Sequence, residues 1–166
     1  MPSALHVSAG RRGFVKLSNK GRYGVRAMFD IAFHGNEKSS QIKDIAERQA
    51  IPPRFLEQIF QDLKRAGLVS SKRGPRGGYQ LAHPSGEITL SHVVRALEGP
   101  LNLESAEGEN LDAGDPASIS VTEAAFRTLT HRIENCLKQV SLEDLCEQAQ
   151  EMGVRRTPAG GYNYVI

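Results

Sequence analysis

Tryptophan is absent, cysteine occurs only twice in 166 residues, and aromatic residues make up 6% of the chain. Two cysteines are too few for a disulfide-built scaffold. Stability must come from an ordinary core, and a hydrophobic fraction of 39% can supply one. No apolar run approaches the ~18 residues of a membrane span. The opening stretch "MPSALHVSAGRRGFV" lacks the long apolar segment of a secretory signal. These absences imply a soluble, cytoplasmic protein with no membrane contact. Metal-ligand spacing is missing too. His6, His34, His83, His92 and His131 form no H-E-x-x-H or C-x-x-C pattern. No catalytic constellation is present, so the chain is not expected to be an enzyme or to carry a cofactor or metal.

What is present is charge, unevenly placed. Residues 1–100 hold 16 Lys and Arg against 8 Asp and Glu. Residues 101–166 hold 5 against 11. A basic front and an acidic back point the front at a polyanion.

The front reads as helices. "SNKGRYGVRAMFDIAFHG" opens on a hydroxyl cap at Ser18 and stops at Gly35, with Val25, Met28, Phe29 and Ala32 on one face. "SSQIKDIAERQ" follows, with a cap at Ser40 and Ile42, Ile45 and Ala46 on one side. "IPPRFLEQIFQDLKRAG" begins with prolines that a first helical turn tolerates. Its apolar stripe is Leu56, Ile59, Phe60 and Leu63. Its other face, Arg54, Glu57, Gln58, Gln61 and Arg65, is polar at every helical step. Two short strands, 68–72 and 79–82, are then joined by the glycine-rich "RGPRGG". Glycine supplies the φ > 0 positions of such a turn. "TLSHVVRALEG" is a further helix, with Leu90, Val93, Val94 and Leu97 inward.

Helix, helix, helix, hairpin is the order of a winged helix-turn-helix. In that fold the third helix enters the major groove and the hairpin lies along the backbone or minor groove. Arg54, Glu57, Gln58 and Gln61 are then the base-reading candidates. Gln pairs bidentately with adenine, Arg with guanine, and Glu accepts from cytosine N4. Lys72, Arg73 and Arg76 fall on the wing, where they would meet phosphate or the minor groove and position the protein without specifying sequence.

Residues 100–118 are acidic and rich in small residues, which reads as a loop or linker. Beyond it Phe126, Leu129, Ile133, Cys136 and Val140 are spaced 3, 4, 3, 4. That is a short heptad seam suited to dimerisation. Cys136 on this seam is expected to behave as a small buried hydrophobe. Near Cys146 no cation is evident that would lower its pKa. "SLEDLCEQAQEM" is a last helix, with Ser141 as cap and Asp144 at the capping-box position. The expected divisions are an N-terminal extension over 1–15, a DNA-binding domain over 16–99, the linker over 100–118, a helical dimerisation region over 119–152 and a tail over 153–166. The fold class is mainly α with a small β-hairpin: a winged helix-turn-helix domain plus a long C-terminal dimerisation helix.

"KLSNKGRYGVRAM", "IAERQAIPPRFLEQIFQDLKRAGLVSSKRGPRGGYQLA" and "ITLSHVVRALEG" resemble the Rrf2 family of bacterial transcriptional regulators. The likeness implies a homodimeric repressor of a palindromic double-stranded operator. It also implies phosphate contacts at Ser18, Lys20, Arg22 and Tyr23. Family members carry small polar residues where this chain has Pro52. They begin at the equivalent of Lys16, so residues 1–14 read either as an upstream mis-called start or as a basic arm bearing Arg11 and Arg12. The iron–sulfur branch of the family carries three cysteines in the loop after the fourth helix; residues 100–118 hold none. The ending "GGYNYVI" resembles the cluster-free cysteine-metabolism repressor, which implies control of sulfur metabolism and cysteine synthase as a partner of the tail through Tyr164 and Ile166. Two other readings stay open: a winged helix that binds protein rather than DNA, and an iron–sulfur or redox-sensing regulator of the same family.

Overall fold

The computed structural model describes residues 17–35, 38–75, 77–104 and 114–157. Six helices and one hairpin follow in order: α1 (Asn19–His34), α2 (Ile42–Gln49), α3 (Pro53–Arg65), β1 (Val69–Lys72), β2 (Gly78–Leu81), α4 (Leu90–Glu98), α5 (Pro116–Lys138) and α6 (Leu142–Glu151). The strands are antiparallel, with Val69 opposite Leu81 and Lys72 opposite Gly78. This is the winged helix-turn-helix expected from the sequence, with a long helix following the body.

α1 forms where Ser18 accepts from the Gly21 N–H, as its sequence position predicts. The stripe expected to be its buried face is only partly so. Met28 is fully buried, but Val25, Phe29 and Ala32 are half-buried. Ala27, Ile31 and Phe33 complete the buried set, because α1 is packed on more than one side. At Gly24 any Cβ would fall on the Leu97 side chain, so glycine there lets α4 approach the α1 backbone.

The start of α2 differs from expectation. Its N-cap is Gln41, without a side-chain cap bond. Ser40 is buried and forms an isolated bridge with Tyr79; each N–H donates to the other's carbonyl at 2.8 Å. That pairing across the hairpin takes the backbone that a cap would need. α3 matches its sequence pattern closely: Leu56, Ile59, Phe60 and Leu63 are all fully buried. They join Met28, Ile45 and Val93 in one core.

A buried ion pair ties α1 to α2. Asp30, with no exposed surface, receives Nε and Nη2 of Arg48 at 3.0 and 2.7 Å and Nε2 of Gln49 at 3.0 Å.

α4 is capped reciprocally by Thr89 and His92. α5 begins at Pro116 with Asp115 as its cap, inside the stretch read as linker. It is held near its middle by Thr130, whose Oγ1 accepts from the Leu103 N–H at 3.3 Å. α6 then returns to the body. Ser141 and Asp144 form the capping box the sequence predicts, and Leu142 is fully buried. Two hydrogen bonds of 2.8 Å, Leu90 N–H to Val140 and Leu142 N–H to Ile88, join the starts of α4 and α6. No helix is long and apolar enough to cross a membrane among the described residues.

Candidate nucleic-acid interface

The interface is built on the back of a fully buried stripe. Because Leu56, Ile59, Phe60 and Leu63 fix the rotation of α3, its remaining positions must face away from the core. Arg54, Glu57, Gln58 and Gln61 lie at i, i+3, i+4 and i+7, and all four are exposed. Helical spacing therefore gathers these side chains on one face. Pro53 occupies the first turn, where its missing N–H removes a donor the helix could not have used. Phe55 was not foreseen. It is 45% exposed and meets Tyr23 edge-on, with ring centroids 6.0 Å apart. An exposed aromatic beside Arg54 can touch a thymine methyl group. Its apolar character within a polar face was the signal available in the sequence.

The hairpin stands beside α3 and is fixed at several points. Tyr79 of β2 stacks on Phe60 of α3 at 4.3 Å. Lys64 Nζ donates to Ser71 Oγ at 2.7 Å, and Gln41 Nε2 donates to the Pro75 carbonyl at 3.2 Å. Gly78 has φ +154, and a Cβ there would run into the Ser40 carbonyl. A side chain at that position would break the bridge that holds the wing root. Lys72 and Arg73 are exposed near the turn. Arg76 lies outside the described residues.

The four α1 candidates do not behave alike. Arg22 is exposed. Tyr23 is half-buried, with the Arg26 guanidinium 5.7 Å from its ring centroid. At the exposed Ser18, the hydroxyl donates to Glu98 Oε1 at 2.7 Å while the N–H donates to the same oxygen at 2.8 Å. The hydroxyl proton is thus directed at a carboxylate rather than free for phosphate. Lys20 pairs with Asp62 of α3 at 2.6 Å, and Arg65 reaches the same carboxylate at 2.9 Å. The Lys20 hydrogen bond holds Asp62 below the usual carboxylate range. Lys20 therefore braces α1 against α3.

Among the described residues the seam along and just past α5 is largely uncovered. Phe126 is 43% exposed and Leu129 45%; Cys136 is exposed, and Ile133 and Val140 are half-buried. The burial expected for Cys136 is not met within one chain. Cys146 on α6 is buried beside Phe33 and Ala149, and burial pushes its thiol up. Arg156 opposes that shift, so a cation does lie near this thiol, contrary to the sequence reading. Tyr164 and Ile166 lie outside the described residues.

A polar helix face backed by a buried stripe, with a basic hairpin alongside, defines a winged-helix DNA-binding protein. A model of the Rrf2 family, described as an iron-dependent transcriptional regulator, matches residues 17–148. The chain belongs to the Rrf2 family, and it is a DNA-binding transcriptional regulator rather than an enzyme. It is 39% identical to the HTH-type transcriptional regulator IscR of Xenorhabdus nematophila over 155 residues, covering 88% of this chain and 93% of that one. Among solved structures it resembles T. potens IscR, with TM-score 0.68, 36% identity and coverage of 89% and 97%. It also resembles CymR, the global cysteine regulator of B. subtilis, with TM-score 0.68, 33% identity and coverage of 81% and 98%.

Among the described residues the iron in the family's description finds no matching donor set. The only two cysteines sit on different helices, one exposed and one buried. Among the described residues no three His, Cys, Asp or Glu side chains converge on a point that could hold a metal. The side chains present do not fit a cluster held by cysteine thiolates of one chain.

Proposed function

We propose that the protein is a homodimeric repressor that blocks a promoter by occupying a palindromic operator. Arg54, Glu57, Gln58 and Gln61 read base edges in the major groove. Arg22, Tyr23, Lys72, Arg73 and Arg76 hold the phosphates or minor groove. The observation that carries this reading is the exposed polar face of α3, fixed in rotation by its fully buried stripe and standing beside the wing. Glu57 would be costly beside phosphates, and its place on this face suits selection through cytosine N4.

The dimer reading rests on apolar surface left uncovered. Phe126, Leu129, Ile133 and Cys136 share one side of α5, and Val140 follows two residues past its end. A second apolar surface, a groove of about 310 Å³ between α1 and α6, is lined by Val25, Phe29, Leu145, Ala149 and Met152. A symmetric pair that seats the seam of one copy against the other covers surface that a monomer would leave in water. Two half-sites would then lie about one DNA turn, ~34–36 Å, apart.

Control without an iron–sulfur cluster is supported by the absence of cysteine from residues 100–118. Regulation of cysteine or sulfur metabolism is supported by the likeness to CymR, although the likeness to IscR is stronger in sequence identity and in coverage of this chain. A cysteine synthase partner receives no support from the comparisons, and the tail that suggested it is not described.

Binding measured across salt tests the proposal. A regulator making ~6–10 phosphate contacts loses ~10³–10⁵ in affinity between 50 and 200 mM salt. A winged helix that binds only protein would select no operator and show no such slope.

A further inference from the structure

The base-reading face leaves a separate cationic cavity unexplained. It has a volume of about 410 Å³ and lies where the C-terminal end of α1, the exit of β2 and the segment after α6 converge. Lys38, His83 and Arg156 line it, and among the described residues no acidic side chain does. Ala32 and Leu81 give it an apolar wall. Two cations and an imidazole thus come together from parts of the chain far apart in sequence. None of them is ion-paired among the described residues. The like charges of Lys38 and Arg156 on one concavity repel each other unless an anion sits between them.

Arg156 is anchored in place. The Val154 N–H donates to the Ala149 carbonyl at 2.9 Å, and the Thr157 N–H donates to His34 Nδ1 at 2.9 Å. Between them the Arg156 guanidinium lies 5.2 Å from the centroid of the Phe33 ring. The wall at Lys38 is held as well. Lys38 donates its N–H to the Gly35 carbonyl at 2.6 Å, and Ser40, two residues on, bridges to Tyr79 of β2. The cavity therefore has held walls and spans the root of the wing.

We propose that this cavity binds a small organic anion: a carboxylate or phosphate on a short apolar body. The oxyanion is held by Arg156, Lys38 and His83, and the body lies against Ala32 and Leu81. A planar guanidinium and an ammonium converging on one ligand suit an oxyanion. Bound there, the anion ties the wing exit at His83 to the turn before α2 at Lys38. Its effect on operator affinity rests on the regulator reading given above; its binding does not.

The test begins with DNA-free full-length protein and an NMR titration with succinate, butyrate and inorganic phosphate, using sodium chloride as the ionic-strength control. Saturable shifts confined to the residues around Lys38, Leu81, His83 and Arg156 are expected. Tighter binding of succinate or butyrate than of phosphate marks a carboxylate ligand, and the reverse marks a phosphate ester. Arg156→Gln and Lys38→Gln should each weaken binding roughly tenfold, because each removes a charge-assisted hydrogen bond. Circular dichroism and thermal melting would show that both variants remain folded. No saturable shift with any probe, or equal binding by folded variants, overturns the site. So does a loss of DNA affinity in both variants without added anion, accompanied by a lower salt slope, since the cations would then be backbone contacts. Failure of the wild type to select any operator would instead sink the regulator reading and leave the titration result standing.

Discussion

The winged-helix body and α5 follow opposite rules. In the body, most apolar helix positions face other elements of the same chain, and α3 buries all four stripe residues completely. In α5, 23 residues long, only Thr130 is buried, while Val121, Phe126 and Leu129 stand 71%, 43% and 45% exposed. Both regions carry an apolar stripe at helical spacing. The difference shows that periodicity fixes which side of a helix is apolar, but not whether the surface that covers it belongs to the same molecule. Among the described residues the body covers most of its own apolar stripes, whereas the stripe of α5 is left largely uncovered.

The largest effects should separate these regions. Arg48→Ala leaves Asp30 charged and buried without its main partner, which typically costs ~3–5 kcal/mol. Urea unfolding of the variant should show this loss, and a near-normal midpoint would mean that Asp30 takes up a proton or a new partner. Leu129→Asp should do the reverse, leaving the chain folded while weakening the dimer roughly a hundredfold or more. Sedimentation would detect monomers, and an unchanged dimer would place the interface elsewhere.

Smaller effects distinguish reading from positioning. Arg73→Ala should weaken all DNA sequences alike and lower the salt slope by about one. A change in preferred sequence would instead assign the wing a role in readout. The smallest effect concerns His34, whose Nδ1 accepts the Thr157 N–H and so requires the neutral ring. Burial lowers its pKa from 6.5, with Asp30 opposing and Arg48 and Arg156 assisting. The stability gained from the neutral ring is complete above pH 6.5 and is lost as pH falls through the lower folded value. Amide exchange at Thr157, corrected for the intrinsic pH dependence of exchange, should lose protection in mild acid while the α3 core stays protected. Equal protection at both pH values would show that the contact does not depend on the ring's charge.

The parts legible in the sequence were those governed by neighbours a few residues away. The caps at Ser18 and Ser141, the α3 stripe and the glycine turn all belong to this class. Ser40 was misread because its partner, Tyr79, sits across the hairpin, beyond any local pattern. Lys20 and Ser18 looked free because Asp62 and Glu98 approach only once α1, α3 and α4 have packed. Asp30 left a fainter trace, a single acid inside the apolar run "MFDIAF". A charge there requires a counter-charge, although its identity as Arg48 depends on the angle between α1 and α2. The Lys38, His83 and Arg156 cluster left no local trace, since it exists only where three distant segments meet.

The central claim is that α3 reads base edges, and parallel selections from random DNA test it most directly, one with the wild type and one with Gln58→Ala. The wild type should recover a palindrome, and the variant should lose choice at one base pair in each half-site, with affinity for the original site reduced by ~1–3 kcal/mol. An identical motif and affinity for both proteins, or no motif from the wild type, would contradict the account.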